Sequence, residues 1–149
     1  MSAPQDTLAV HELLARYANS FDMKAWDDLA SCLSDTLHTD YSQLRKTPPE
    51  TVSRERFVEL RRDALDKLDT HHLLGNVQVR LNGNRGEATA SMAILRRNAQ
   101  GERFDTHCLY IFGVRKSGPT WLICSIVQKV LWNEGSEAVH GGITRSNDC

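Results

Sequence analysis

The apolar period of this chain is mainly helical up to His72 and alternating after it, and that switch restricts the fold more than any other feature. Before His72, Leu8, Val10, Leu13, Leu14, Tyr17 and Phe21 recur at the spacing of one helix face, and Trp26, Leu29, Ala30 and Leu33 repeat it. After His72, Val77, Val79 and Leu81 alternate with Gln78 and Arg80. Helices first and strands afterwards is an α+β order, in which the helices gather against one face of a sheet.

Local signals fill in that order. Asp6 is expected to cap the first helix, and residues 23–33 to form a second, which leaves Asp22 at the junction. Residues 36–42 alternate as a short strand, and Thr47-Pro48-Pro49-Glu50 then interrupts regular structure. Ser53 is placed to cap a third helix carrying Phe57, Leu60, Ala64, Leu65 and Leu68. Arg54, Arg56, Arg61 and Arg62, interleaved with Glu55, Glu59 and Asp63, read as its solvated face. Asn82-Gly83-Asn84 predicts a turn, and strands over 88–97, 103–116 and 121–132 complete an antiparallel meander. Residues 1–134 are expected to form a single domain, with 135–149, rich in Gly, Ser, Asn and Asp, as a flexible tail.

Composition narrows the partners. A chain of 149 residues, 40% hydrophobic and 25% charged, suits one globular domain with a real core. Its 18 basic and 19 acidic residues give no global bias towards nucleic acid or an anionic membrane. No apolar run approaches the roughly 20 residues of a membrane span, and Met-Ser-Ala-Pro-Gln-Asp shows no signal peptide. Cys32, Cys108, Cys124 and Cys149 lack CxxC spacing, which suits free thiols in the cytoplasm. His71-His72 has no helical i, i+4 partner, His38 and Asp40 alone share a strand face, and no glycine-rich phosphate loop is present. No metal or organic cofactor is therefore expected.

The stretch ANSFDMKAWDDLASCLSDTLHTDYSQL, residues 18–44, resembles scytalone dehydratase and its SnoaL-like relatives in the nuclear transport factor 2-like superfamily. So does THHLLGN at 70–76, and Trp121 and Trp132 continue the similarity as a W-x10-W pair in the last strand. The resemblance implies a cone-shaped α+β barrel, with N-terminal helices packed on a curved antiparallel or mixed sheet around a pocket. It places Asp22 on the family's pocket aspartate, His72 on its general base and Tyr41 on one of two tyrosines that orient water or substrate. Phe21 stands where the second tyrosine would be and Tyr110 where an asparagine would be, while Arg96, Arg97 and Asn98 occupy the region of a second catalytic histidine. Local periodicity does not choose between His71 and His72; the matched motif favours His72.

The chemistry of this trio stands on its own. Removing a carbon-bound proton beside a carbonyl needs a base and a donor for the oxyanion that develops. A neutral His72 oriented by Asp22 supplies the first, and Tyr41, protonated at neutral pH, the second. The matching activity is a cofactor-independent lyase or isomerase, dehydratase-like, acting on a small hydrophobic cyclic carbonyl or hydroxy compound. Asp22 as a plain helix cap, and a non-catalytic ligand-binding or assembly module on the same scaffold, remain open alternatives. Tyr17, Phe21, Trp26, Phe57, Met92, His107 and Tyr110 are candidate substrate contacts, with Leu60, Val77, Val79, Ile94 and Leu109 as further apolar walls. On alternation alone, Cys108, Tyr110, Phe112 and Val114 form an outer row that needs covering, and by resemblance a homo-oligomer, trimer or dimer, is expected.

Overall fold

The computed structural model describes residues 4–143. Helix α1, Pro4–Asp22, begins before the expected cap. Asp6 sits inside its first turn and accepts instead from Trp121 Nε1 at 2.9 Å and Lys116 Nζ at 3.0 Å, tying the helix to the last two strands. Helix α2 covers only Trp26–Ser31, shorter than expected at both ends. Lys24, in the left-handed region with φ 52°, breaks the chain after α1, and Leu33 already belongs to strand β1, Leu33–Asp40. The one-turn helix α3, Ser42–Arg45, and strand β2, Glu50–Ser53, are too short to leave a period in the sequence.

Helix α4, Arg54–Leu65, starts where expected, with Ser53 Oγ accepting from the Arg56 N–H at 3.1 Å. Its buried positions include Phe57, Arg61 and Leu65, spaced four apart. Arg61 is therefore not on the solvated face: it is 5% exposed and points with the apolar stripe.

Strands β3 (Asp69–Asn82), β4 (Arg85–Arg97), β5 (Phe104–Ser117) and β6 (Thr120–Gly135) form the meander. The six strands make one curved sheet ordered β2-β1-β6-β5-β4-β3, antiparallel except where β1 runs parallel to β6. One face packs on the helices and carries the core. Cys108, Tyr110, Phe112 and Val114 turn onto that inner face, all buried, so the outer row is instead His107, Leu109 and Ile111. Both phases of β5 are apolar, and alternation alone leaves open which one the helices cover.

Among the described residues no helix is long and apolar enough to cross a membrane. Cys32, Cys108 and Cys124 are free thiols. Of the segment expected to be loose, residues 144–149 and Cys149 with them lie outside the described residues. The part before them forms a 3-10 turn, Glu137–Val139, and buries Val139, His140 and Ile143.

Candidate active site

The centre of the site is a carboxylate held by three donors. Asp22, the last residue of α1, accepts at Oδ1 from His72 Nδ1 at 2.7 Å and from Thr70 Oγ1 at 3.0 Å, and at Oδ2 from the His72 backbone N–H at 2.8 Å. Thr70 and His72 sit two apart on β3 and so share its inner face, while His71 between them is exposed. Phe21 stacks on the imidazole, its ring centroid 4.8 Å away.

The protonation states follow from the surroundings. Burial would raise the Asp22 carboxyl, but the hydrogen bonds from His72 and Thr70 together hold it below its ordinary 3.8. Burial draws His72 below its ordinary 6.5, against the opposing pull of Asp22. At neutral pH the pair is thus a carboxylate and a neutral imidazole whose Nδ1–H donates, which leaves Nε2 as the basic nitrogen.

His72 lines a narrow chamber with Tyr17, Tyr41, Arg61, Arg96 and Tyr110, whose remaining walls are Gln128, His140 and four apolar side chains. Its open space is about 20 Å³, room for a single water. The Tyr17 and Tyr41 hydroxyls lie 3.3 Å apart, and Gln128 Nε2 donates to the Tyr110 hydroxyl at 3.0 Å. Burial holds Tyr17 and Tyr110 well above 10, and raises Tyr41 against the pull of Arg61. All three are neutral donors. Arg45 and Arg61 face the Tyr41 ring at 5.1 and 5.0 Å. A larger hollow of about 610 Å³ lies around Thr89, Leu109 and Lys129, but it shares only Tyr110 with this chamber and holds no acid–base pair.

The structure brings Asp22, His72, Tyr17, Phe21, Tyr41 and Tyr110 together, with Ile94 in the wall. It does not bring Trp26, Phe57, Met92 or His107 to the chamber. Trp26 lines a surface hollow beneath Arg62, and Phe57 is core beside Tyr41 and Arg61. Met92 borders an outer groove in which His107 stacks on Trp132 at 4.4 Å. Leu60 borders a hollow beside α4, Val77 and Leu109 line the larger outer one, and Val79 packs against the core. Lys24 of the K-x-W-D stretch also serves the fold: its Nζ donates to the carbonyls of Leu65 and Leu68 at 3.0 and 2.6 Å, closing the end of α4. Asp40, on the strand face it shares with His38, accepts from the Ser42 N–H and hydroxyl, and no group of three or more metal-ligating side chains occurs among the described residues.

Arg61, Arg96, Gln128 and His140 are the polar chamber residues that sequence reasoning missed. Three carried a signal: Arg61 is in phase with Phe57 and Leu65, Arg96 with Met92 and Ile94, and Gln128 with Ile126. His140 carried none.

The SnoaL-like domain family matches residues 3–127 of this chain. The chain belongs to that family. Among curated relatives of this SnoaL-like chain, the scytalone dehydratase-like protein claB of Passalora fulva is 30% identical over 52% of this chain and 44% of that protein. The chain spans about half the length of the curated relatives it matches. Among solved structures, the Kfla4162 protein of Kribbella flavida superposes with a TM-score of 0.86 at 21% identity, over 93% of this chain and 98% of that one. Hexachlorocyclohexane dehydrochlorinase LinA-type3 of Novosphingobium barchaimii superposes with a TM-score of 0.75 at 11% identity, over 91% and 93%. At these identities the likeness to the solved structures is one of fold.

Proposed function

We propose that this SnoaL-like protein is a cofactor-independent lyase or isomerase, dehydratase-like, in which His72 takes a carbon-bound proton and Asp22 holds it ready. The observation that carries the reading is the 2.7 Å contact between Asp22 Oδ1 and His72 Nδ1 at the wall of a narrow, aromatic chamber. His72 Nε2 accepts the proton from a carbon next to a carbonyl, and the electron pair moves towards the carbonyl oxygen. Asp22 stabilises the imidazolium so formed. Tyr41, close to Tyr17, donates a hydrogen bond to the oxyanion. Expelling a β-hydroxyl then lets His72 return its proton to the leaving oxygen as water; reprotonation at another carbon gives isomerisation instead.

The names of the relatives support the class, since a dehydratase eliminates water and a dehydrochlorinase eliminates hydrogen chloride. A chamber with room for one water must widen around any organic substrate. His140, which follows the three-residue 3-10 turn Glu137–Val139 and belongs to no strand or helix, is a wall that can give way. Exchange of substrate α-hydrogens in deuterium oxide, followed by NMR across a panel of cyclic hydroxyketones, tests the reading. Exchange by the native protein and none by His72→Ala is expected; binding without exchange would make the protein a ligand-binding module.

The same reading includes self-association. Leu73, Ala93, His107 and Trp132 are successive neighbours across β3, β4, β5 and β6 on the outer face. Leu73 is 49% and Trp132 51% exposed, an apolar row that a second copy would cover.

A further inference from the structure

We propose that the chamber contains an anion subsite, in which Arg61 and Arg96 hold a carboxylate of a cyclic or aromatic acid substrate beside the Asp22–His72 pair. The role of that acid as substrate rests on the proton-transfer reading above. Arg61 is 5% and Arg96 3% exposed, and both line the chamber. Neither guanidinium meets a carboxylate among the described residues. Arg61 lies over the rings of Tyr41 and Phe57, and its Nε has no hydrogen-bond partner. Arg96 uses Nη1 on Thr106 Oγ1 at 2.9 Å and the Phe104 carbonyl at 3.3 Å, and its Nε is also unpartnered.

The nearby acids are committed elsewhere. Asp22 is engaged by His72 and Thr70, and Asp105 by the Arg96 backbone N–H and the Arg103 side chain. His72 is neutral, and so is His140, whose Nδ1 accepts from the Gly142 N–H at 2.8 Å. The chamber wall therefore carries two positive charges and no negative one. Burial draws Arg96 down to about 10, which leaves it protonated at neutral pH.

Burying an unpaired guanidinium carries a large desolvation penalty, and a bound anion offsets that cost. Two planar forks match the planar carboxylate, and each charge-assisted bond to it is stronger than a neutral one. Tyr17, Phe21 and Tyr110 supply flat walls for the remaining, ring-shaped part of the ligand. A phosphate fits less well, because no backbone loop adds donors to the two side chains.

The test is titration of the full chain with benzoate and, separately, with benzamide, its neutral isostere, read by calorimetry and thermal shift. Benzoate is expected to bind about tenfold or more tightly than benzamide. Arg61→Met and Arg96→Met each remove that preference, whereas Arg61→Lys, which keeps the charge and loses the fork, keeps part of it. The unliganded Tm of Arg61→Met should not fall, since the variant relieves a buried, unpaired charge; lower affinity without lower stability separates ligand binding from a structural role. Asp22→Asn retains benzoate binding, so loss of turnover in that variant speaks to the dyad and not to the subsite. No preference for benzoate in the native protein, including failure of both probes to bind, overturns the proposal, as does an undiminished preference in Arg61→Met.

Discussion

Asp22 accepts from His72 twice, from the ring at 2.7 Å and from the same residue's backbone N–H at 2.8 Å, so one carboxylate fixes both the tautomer and the strand that carries it. Asp22→Asn keeps the shape and loses the charge. It is expected to lower kcat by about 10²- to 10⁴-fold with little change in KM, the range for loss of an oriented base. Initial rates beside a circular dichroism spectrum check this, and full activity in the variant would remove Asp22 from the chemistry.

The pH profile should carry the same signature. Burial places His72 below its ordinary 6.5, so kcat/KM is level through neutrality and falls only as pH drops through that lowered pKa. Because the Asp22 carboxylate favours the imidazolium, Asp22→Asn moves the acid limb to still lower pH. A limb that stays in place, or moves up, contradicts the pairing.

Acid stability provides an independent reading of His140. Burial first, then Arg96 and Arg61, hold its imidazole down to about 2 in the folded protein, whereas an unfolded histidine takes up a proton near 6.5. Its contribution is fully present above the unfolded value and is lost progressively as pH falls from 6.5 towards about 2. His140→Gln should flatten the dependence of Tm on pH between 6.5 and about 4. Asp22, whose carboxyl is held below 3.8, adds its own loss only at lower pH.

Thr70 adds the third bond to the Asp22 carboxylate, at 3.0 Å. Thr70→Val keeps the β-branched shape on β3 and should cost about 1 kcal/mol of stability with a several-fold drop in rate. Denaturant unfolding and turnover measured on the same preparation separate the two effects.

The outer apolar row makes its own prediction. Sedimentation of the native chain should give an oligomer, and Trp132→Glu, placed on the exposed face opposite His107, a monomer with unchanged secondary structure. A native monomer would remove the association.

The fold class and the contact between Asp22 and His72 were legible because they rest on period and motif. The choice between His71 and His72 was not. Extending the inward phase of Val77 and Val79 back along β3 by twos reaches Leu73 and His71, yet the structure buries His72. The reason is a bulge: Asn76 and Val77 lie between Gly75 and Gln78 on β3 while Ala90 alone lies between Ser91 and Thr89 on β4, and Asn76 takes φ 51° within it. One extra residue reverses which side chains face inward, and alternation contains no mark of it. Arg61 was misread for another reason. Charge outweighed position in assigning it to the solvated face, although it stands in register with Phe57 and Leu65.

The parallel pairing of β1 with β6 sets Leu33 opposite Ile123 and Asp40 opposite Val127. On the ribosome, the strand that closes the middle of the sheet is thus the last of the six to emerge. A nascent chain arrested after β4 already contains the aspartate, the histidine and the hairpin that presents it, but lacks the Tyr110 and Gln128 wall. The chamber is therefore complete only once β6 has been made, and a product truncated before it would expose the inner face of the sheet to chaperones and proteases.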